Sequence, residues 1–328
     1  MTARVVPAEG LRQLSAGILE GAGASPDIAE EVATHLVGAN LAGHDSHGVV
    51  RLAQYLTQIE RGDLHPAARP TVLRDAGVGA LIDADRGFGH FSTAFALDWA
   101  LDRARDRGMS SAVIRHSMHV GRLGHYTEKA AAEGMIAVVT AGAVGADVGG
   151  LGLPGARGRF FSTNPWSFGF PSVDRSTVFD GATSAVAEGK VRLARTAGQS
   201  LPPGCIVDSD GNPSVDPEDF YAGGALLPLG GEVAGHKGYG LALASALLGG
   251  IAAVGDPDPT VLGALIAGEG TAKGRAAGVF LLVIDPGMFV PRDDYRLLVE
   301  EALTGLEGAP PAVGGRGPMV PGLSLIHI

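Results

Sequence analysis

"GALIDADRGFGHFSTAFALDWALDRARDRGMSSAVIRHS", residues 79–117, reads as strand, helix, strand. GALIDAD (79–85) and SSAVIRHS (110–117) are short apolar runs of strand type. The segment between them, GHFSTAFALDWALDRARDRG (89–108), repeats its apolar residues at helical spacing and ends in charges and Gly108. Two strands joined through a helix imply a crossover and at least partly parallel pairing, so this stretch sets the class as α/β. The alternation continues with a helix over GRLGHYTEKAAAEG (121–134) and a strand over MIAVVTAGA (135–143).

Working outward, residues 6–61 read as helices. SPDIAEEVATHLVGANLAG places Ser25 as an N-cap and Pro26 in the first turn, with Val32, Leu36 and Leu41 recurring at roughly helical spacing. A third helix follows GHDSHGVV, with Leu52, Tyr55, Leu56 and Ile59 on one face, and stops at Gly62 before the connector DLHPAARP (63–70). From Gly142 to Ser176 the pattern dissolves into Gly, Pro, Asn and Arg, and a loop that long is expected to be functional. Beyond it, STVFD (176–180) reads as a strand and TSAVAEGKVRLARTAG (183–198) as a helix. SDGN (209–212) is a turn between short extended pieces. HKGYGLALASALLGGIAA (236–253) reads as a helix, GVFLLVIDP (278–286) as a strand and RDDYRLLVEEALTGL (292–306) as a last helix. The expected organisation is a mainly helical substrate and dimer domain from residues 1–75 with 287–328, and a mixed-sheet cofactor domain over 76–286.

The chain has 328 residues, 45% of them hydrophobic, enough for one large or two moderate cores. Its net charge of −10 and the lack of a basic stripe argue against nucleic acid. Cys205 is the single cysteine, so no intrachain disulfide forms, in keeping with a reducing compartment. MTARVVPAEGLRQL lacks the apolar core of a signal peptide, and the longest apolar run, residues 239–255, is short for a membrane span. The expectation is a cytoplasmic protein with no membrane partner.

Several segments carry chemistry. GLGLPG (150–155) matches G-x-G-x-x-G, but Pro154 sits inside it and no helical run follows, so it is not a Rossmann fingerprint. His44 and His47 are three apart, as are His116 and His119, with His125 nearby. Such pairs suit a metal, although no cysteine or H-E-x-x-H context supports one. Asp45 or Ser46 is expected to cap the helix that follows. RHSMHVGRLGHY (115–126) leaves a strand and enters a helix, a place where α/β proteins put reactive groups, and imidazole exchanges protons near neutral pH. Asp180 ends a strand, Thr183 and Ser184 mark an expected helix start suited to an anion, and Lys190 follows about two turns on. His236 and Lys237 sit in a Gly-rich helix lead-in of phosphate-cradle type. Asn164-Pro165 in FSTNPWSFGFP favours a turn.

Taken in order, GHDSHGVVRLAQYLTQIERG, HSMHVGRLGHY, STNPWSFGFP, FDGATSAVAEGKV, LPLGG and GHKGYGLAL resemble the malate/L-lactate dehydrogenase family of the sulfolactate dehydrogenase type. The resemblance covers nearly the whole chain. It implies a non-Rossmann, NAD- or NADP-dependent oxidoreductase of 2-hydroxy and 2-oxo acids that works as a homodimer. It also implies acid/base histidines, here His47 beside Ser46, and His119, with either one as the proton carrier. Asp180 would complete a relay with the Ser46–His47 pair, Arg51 would bind a carboxylate, and His44 and Tyr55 would face the substrate. Thr163, Asn164, Pro165, Asp180, Thr183, Ser184, Lys190, His236, Lys237 and Gly238 would meet the cofactor, and no metal is implied. A metal-dependent hydrolase or lyase built on the histidine pairs, and an inactive truncated homologue, are the competing readings. Two departures stand out: Gly181 where the family has Met, and the abrupt apolar ending PMVPGLSLIHI, expected to mark a truncation or a foreign tail.

Overall fold

The computed structural model describes residues 6–143, 149–254, 278–315 and 317–321; the last residues of the PMVPGLSLIHI ending, 322–328, lie outside them. Three helices open the chain: α1 (Ala8–Gly21), α2 (Pro26–Leu41) and α3 (Leu52–Glu60). Ile28, Val32 and Leu36 of α2 repeat every fourth residue and are fully buried, packed with Leu19 of α1 and Tyr55 of α3. Leu41 does not share that face. It lies five residues beyond Leu36, about 140° round the helix, and is exposed. Ser25 holds the N-cap position with Pro26 behind it, yet its hydroxyl bonds the Asp27 carboxylate (2.7 Å) rather than a backbone N–H.

Next come β1 (Thr71–Asp75), β2 (Gly79–Asp83), α4 (Gly89–Arg107), β3 (Met109–Arg115), α5 (Gly124–Ala132) and β4 (Ile136–Gly142). β2 and β3 pair in parallel, with Gly79 opposite Ser111 and Asp83 opposite Arg115, so α4 is the expected crossover. α4 ends at Gly108, whose φ of +84° is the left-handed conformation that glycine adopts freely. β1 pairs antiparallel to β2 and makes the sheet mixed. All five of its residues are exposed, so no alternation betrays it in the sequence.

The later elements are β5 (Trp166–Pro171), β6 (Ser176–Gly181), α6 (Glu188–Ala197), β7 (Ile206–Val207), β8 (Pro213–Ser214), α7 (Pro217–Tyr221), β9 (Ala225–Leu226), α8 (Gly231–Val254, broken at Ala234), β10 (Gly278–Ile284) and α9 (Arg292–Glu307). The main sheet runs β1-β2-β3-β10-β4-β5-β6, so β10, late in the chain, lies between β3 and β4. β8-β7-β9 form a small second sheet around the SDGN turn.

β5 corrects the expectation of a long loop over 142–176. Its buried positions are Ser167, Gly169 and Pro171, while the aromatics Trp166, Phe168 and Phe170 are only half-buried. Small inward residues are required because α5 lies close: a Cβ on Gly169 would sit 2.3 Å from the Thr127 carbonyl oxygen, and Ser167 Oγ bonds Thr127 Oγ1 (2.7 Å). The helix expected from residue 183 begins only at Glu188. Ser184 forms a bridge with Pro228 and Thr183 lies in the bend before it, so they are not a helix N-terminus. GLGLPG is likewise followed by no helix, and Leu151 bridges Phe161 and Leu226 in an apolar core with Ile206 and Phe220.

Contacts divide the chain into two compact units. One comprises Met1–Val139, Ser167–Phe179 and Leu281–Ile328; the other comprises Thr140–Trp166 and Asp180–Phe280. These bounds differ from those expected at residues 75 and 286. Leu64 and Phe88 share the core of α1–α3, which ties residues 76–139 to the N-terminal helices.

Candidate active site

In the first unit, the segment after α2 is not one helix start but two short 3-10 turns, Asp45–His47 and Val49–Arg51, separated by extended Gly48. His47 and Arg51 therefore do not share an α-helical face. Asn40, near the end of α2, clamps both turns. Its Nδ2 donates to Asp45 Oδ1 (2.5 Å) and its Oδ1 accepts from Val49 N (3.0 Å). A Cβ on Gly48 would lie 2.2 Å from that Oδ1, which is why the motif needs glycine there. Neither Asp45 nor Ser46 caps α3. Asp45 bonds Asn40, and Ser46 Oγ lies 3.0 Å from His47 Nδ1.

His119 comes from the segment between β3 and α5. This segment is pinned on both sides: Tyr126 Oη donates to Val120 O (2.7 Å) and Arg122 N donates to His35 Nε2 (2.9 Å). Gly89, at the start of α4, allows it to pass, since a Cβ there would meet the Met118 and His119 carbonyl oxygens at 2.3 and 2.5 Å. Gly121 has φ +70° and a Cβ position 2.4 Å from His35 Nε2. Gly121→Ala is expected to cost on the order of 2–4 kcal/mol of stability, from backbone strain and the clash together. Chemical denaturation of the purified variant reads this, and an unchanged midpoint refutes it.

These segments bring Ser46, His47, Tyr55 and His119 together. Tyr55 Oη is 2.7 Å from His119 Nδ1, and the His47 and His119 rings stack at 5.5 Å with 24° between their planes. His44 lies beside His47 at 6.4 Å. The row continues inward from His119 to His90 (5.8 Å), from His90 to His35 (4.7 Å) and from His35 to His125 (4.3 Å). His90, His35 and Asn40 escaped the sequence reading. The spacing of His90, Ala94, Leu97 and Leu101 along one face of α4 was the available signal for a buried histidine. Among the described residues, no three His, Cys, Asp or Glu side chains are grouped as metal ligands.

Burial, more than any charge, drives these imidazoles to the neutral form. His47 is lowered to about 4 by burial and then by Arg51, and His90 to about 3 by burial and then by His125. His119 is held well below its ordinary value by burial, then by His90, Arg51 and His47. Burial also lowers His125 to about 4. The unfolded chain therefore binds protons at these sites from about pH 6.5, whereas the folded chain resists them until near 4 or below. Stability is whole above pH 6.5 and drains away as pH falls, at about 1.4 kcal/mol per unit for each group. For His47, His90 and His125 together the loss by pH 4.5 is roughly 8 kcal/mol, the size of a domain's whole stability. Acid unfolding near pH 5 is expected by circular dichroism, and an intact native signal at pH 4 counts against it.

Arg51 stands beside this pair. Its Nε donates to Ser46 O (2.6 Å) and its Nη1 to Gln54 Oε1 (2.7 Å). Among the described residues, Nη2 has no partner and no carboxylate lies within ion-pair distance of the guanidinium. A cation without a counter-charge, next to neutral imidazoles, is a ready seat for a small carboxylate.

The second unit holds the other site residues named from sequence. Thr163 O accepts from both Thr183 N and Thr183 Oγ1 (2.9 Å each), and Leu229 N donates to Thr183 O (2.8 Å). Gly238 packs on Leu229, where a Cβ would lie 2.4 Å from its backbone. Asn164 (φ +37°) is fully buried, and its amide is engaged by Ala143 N, Ser162 Oγ and Ala242 O, so it anchors the turn before Pro165. Lys190, in the first turn of α6, reaches the neighbourhood of Cys205, whose carbonyl accepts from Leu227 N. Lys190, His236 and Lys237 are exposed and, among the described residues, carry no ion pair. Two lysines without an ion pair and an exposed imidazole, in the same unit as a backbone too tight for a Cβ at Gly238, suit the phosphates of a dinucleotide. Asp180, the penultimate residue of β6, belongs to this same unit, and its relay with Ser46 and His47 stays what the resemblance implies.

A model of the malate/L-lactate dehydrogenase family matches residues 6–324. The chain belongs to that family. It is 34% identical over 305 residues to a malate dehydrogenase of Pyrococcus horikoshii, covering 91% of this chain and 81% of the relative. It is 33% identical over 317 residues to an L-lactate dehydrogenase of Cupriavidus necator, covering 92% and 84%. The structure of sulfolactate dehydrogenase from Methanocaldococcus jannaschii superposes with a TM-score of 0.84 at 29% identity, over 98% of this chain and 89% of that one. Mixed α/β architecture and membership of a 2-hydroxyacid dehydrogenase family using NAD(P) agree with the sequence reading. No helix among the described residues is long and apolar enough to cross a membrane.

Proposed function

We infer that this malate/L-lactate dehydrogenase family member moves a hydride between NAD(P)H and a small 2-oxo acid, with His119 as the proton-exchanging group. The observation that carries this reading is Arg51: a guanidinium with no carboxylate partner, set against the stacked, neutral His47 and His119. Arg51 holds the substrate carboxylate and His44 lines the same end. Tyr55 holds the His119 ring by Nδ1, which leaves Nε2 for the substrate oxygen. In hydroxy-acid oxidation Nε2 takes the hydroxyl proton, and in reduction it returns it. His47, tied to Ser46, orients the substrate from the other ring face.

When bound, the nicotinamide supplies or accepts the hydride. The chain's part is a cradle for its phosphates from Lys190, His236, Lys237 and the backbone around Thr163–Pro165, Thr183–Ser184 and Gly238. The test is a panel of malate, lactate, sulfolactate and cyclic-imine acids with NAD(H) and NADP(H), followed at the nicotinamide absorbance. Turnover on any of them supports the reading; nucleotide binding with no turnover on all of them removes it.

We also infer a cytoplasmic homodimer, in keeping with the lone buried cysteine. Met288, Phe289, Val290, Leu298 and Leu306 expose apolar side chains on the turn before α9 and on one side of α9, a surface suited to a second copy. Phe289→Asp is expected to shift the sedimentation coefficient to that of a monomer; an unshifted dimer moves the interface elsewhere.

A further inference from the structure

His90 has no place in the reaction described above, yet it reaches His119 through one atom. Tyr55 Oη lies 2.7 Å from His119 Nδ1 and 3.4 Å from His90 Nε2, and it carries a single hydrogen. The two rings compete for that hydrogen. If Tyr55 donates to His119, then His119 must carry its own hydrogen on Nε2, and the nitrogen left for substrate has no lone pair. If Tyr55 donates to His90, its oxygen accepts from His119 Nδ1–H, and His119 Nε2 is free to take a proton. Only the second arrangement lets His119 act as a base, and it is also the arrangement an imidazolium requires, because both its nitrogens then donate. His90 can take part because, among the described residues, no other group bonds its ring nitrogens. It is fully buried, and among the described residues its Nδ1 has no partner, so Tyr55 makes the one hydrogen bond to its ring. His35 cannot substitute. Its Nε2 already accepts from Arg122 N, and its Nδ1 has no partner.

We propose that His90 is a positioning residue that draws the Tyr55 hydroxyl hydrogen to itself and so holds His119 with hydrogen on Nδ1 and a lone pair on Nε2. The inference rests on the reading of His119 as the proton-exchanging group. In hydroxy-acid oxidation the substrate O–H bond breaks, its proton passes to His119 Nε2, and the C2 hydride passes to NAD(P)⁺. His119 becomes an imidazolium whose Nδ1–H is received by Tyr55 Oη. The titratable or charged groups around this chain are His47 and Arg51 at its outer end, and His35, His125, Tyr126 and Arg122 at its inner end.

The test is a cycle of His90→Phe, Tyr55→Phe and the double variant, assayed for hydroxy-acid oxidation across pH. His90→Phe keeps the ring packed but removes the acceptor, and kcat is expected to fall about 10- to 100-fold. The rising limb of the kcat/KM–pH profile moves to lower pH, because the Tyr55 hydroxyl, left without His90 to receive its hydrogen, donates to Nδ1 of neutral His119 and so disfavours the imidazolium. The double variant is expected to match Tyr55→Phe alone, since His90 acts only through that hydroxyl, and His90→Gln, which restores an acceptor, recovers part of the loss. A His90→Phe enzyme with wild-type kcat and pH profile overturns the proposal, as do losses that add to those of Tyr55→Phe. Should His90→Phe fail to fold, ¹⁵N imidazole shifts of the wild-type enzyme decide: hydrogen on His90 Nδ1 supports the proposal and hydrogen on Nε2 overturns it. If instead His119→Ala retains turnover, the reading of His119 has failed, and the two failures are told apart.

Discussion

His119→Ala lowers kcat for 2-oxo acid reduction by about 10²- to 10⁴-fold and leaves the affinity for NAD(P)H unchanged. The factor is that of general acid–base assistance by a positioned side chain. The separation of the two effects follows from where the residues sit. His119 belongs to the first unit, with Tyr55, His47 and Arg51, whereas Lys190, His236, Lys237 and Gly238 belong to the second. The ring is held by one hydrogen bond at Nδ1, while its segment is pinned independently by Tyr126 and His35, so the fold is expected to survive its removal. Steady-state kinetics with a fluorescence titration of NADH distinguishes the outcomes. Unchanged turnover removes His119 from the chemistry. His47→Ala is the matching control: if it loses more than His119→Ala, the proton belongs to His47 and His119 orients the substrate.

Arg51→Ala raises KM for the acid by about 10²-fold or more, with kcat changed less. Truncating one partner of a buried, hydrogen-bonded charge pair costs about 2–5 kcal/mol, and the pair here is formed only when the substrate carboxylate arrives. Arg51→Lys recovers part of the loss, because a point charge replaces a planar fork that grips a carboxylate with two parallel bonds. A second effect follows from the charge itself. Arg51 helps to depress both His47 and His119. Without it their values rise, and the acid limb of the pH–rate profile moves toward neutrality. An Arg51→Ala enzyme with wild-type KM and an unmoved profile would show that the carboxylate binds elsewhere.

The parts of the fold written plainly in the sequence are those with one wet and one dry face. α4, between two apolar strands, announced itself by period, and its Gly108 terminus by residue type. β1 stayed hidden because neither of its faces is buried. β5 stayed hidden for the opposite reason: its inward residues had to be Ser, Gly and Pro to let α5 approach, which inverts the usual apolar pattern. At the site, Ser46, His47, Arg51, Tyr55 and His119 were legible as residues but not as geometry. Asn40 and Gly48 turn the expected helix start into two tight turns, and a long-range clamp of that kind leaves no periodic trace. Thr183 and Ser184 misled because hydroxyls before a helical run look like caps, while here the backbone is drawn into a bridge with Pro228.

The placing of β10 has a consequence for how the chain matures. The middle of the main sheet is completed by residues 278–284, inserted between strands made from residues 109–115 and 136–142. On a ribosome adding about 5–20 residues per second, β3 and β4 emerge on the order of ten seconds or more before the strand that joins them. Through that interval the nascent polypeptide presents two unsatisfied strand edges, an invitation to mispairing that holdase chaperones exist to cover. The centre of the sheet can therefore close only late in synthesis, and a chain that stops before residue 278 lacks the strand that joins β3 to β4.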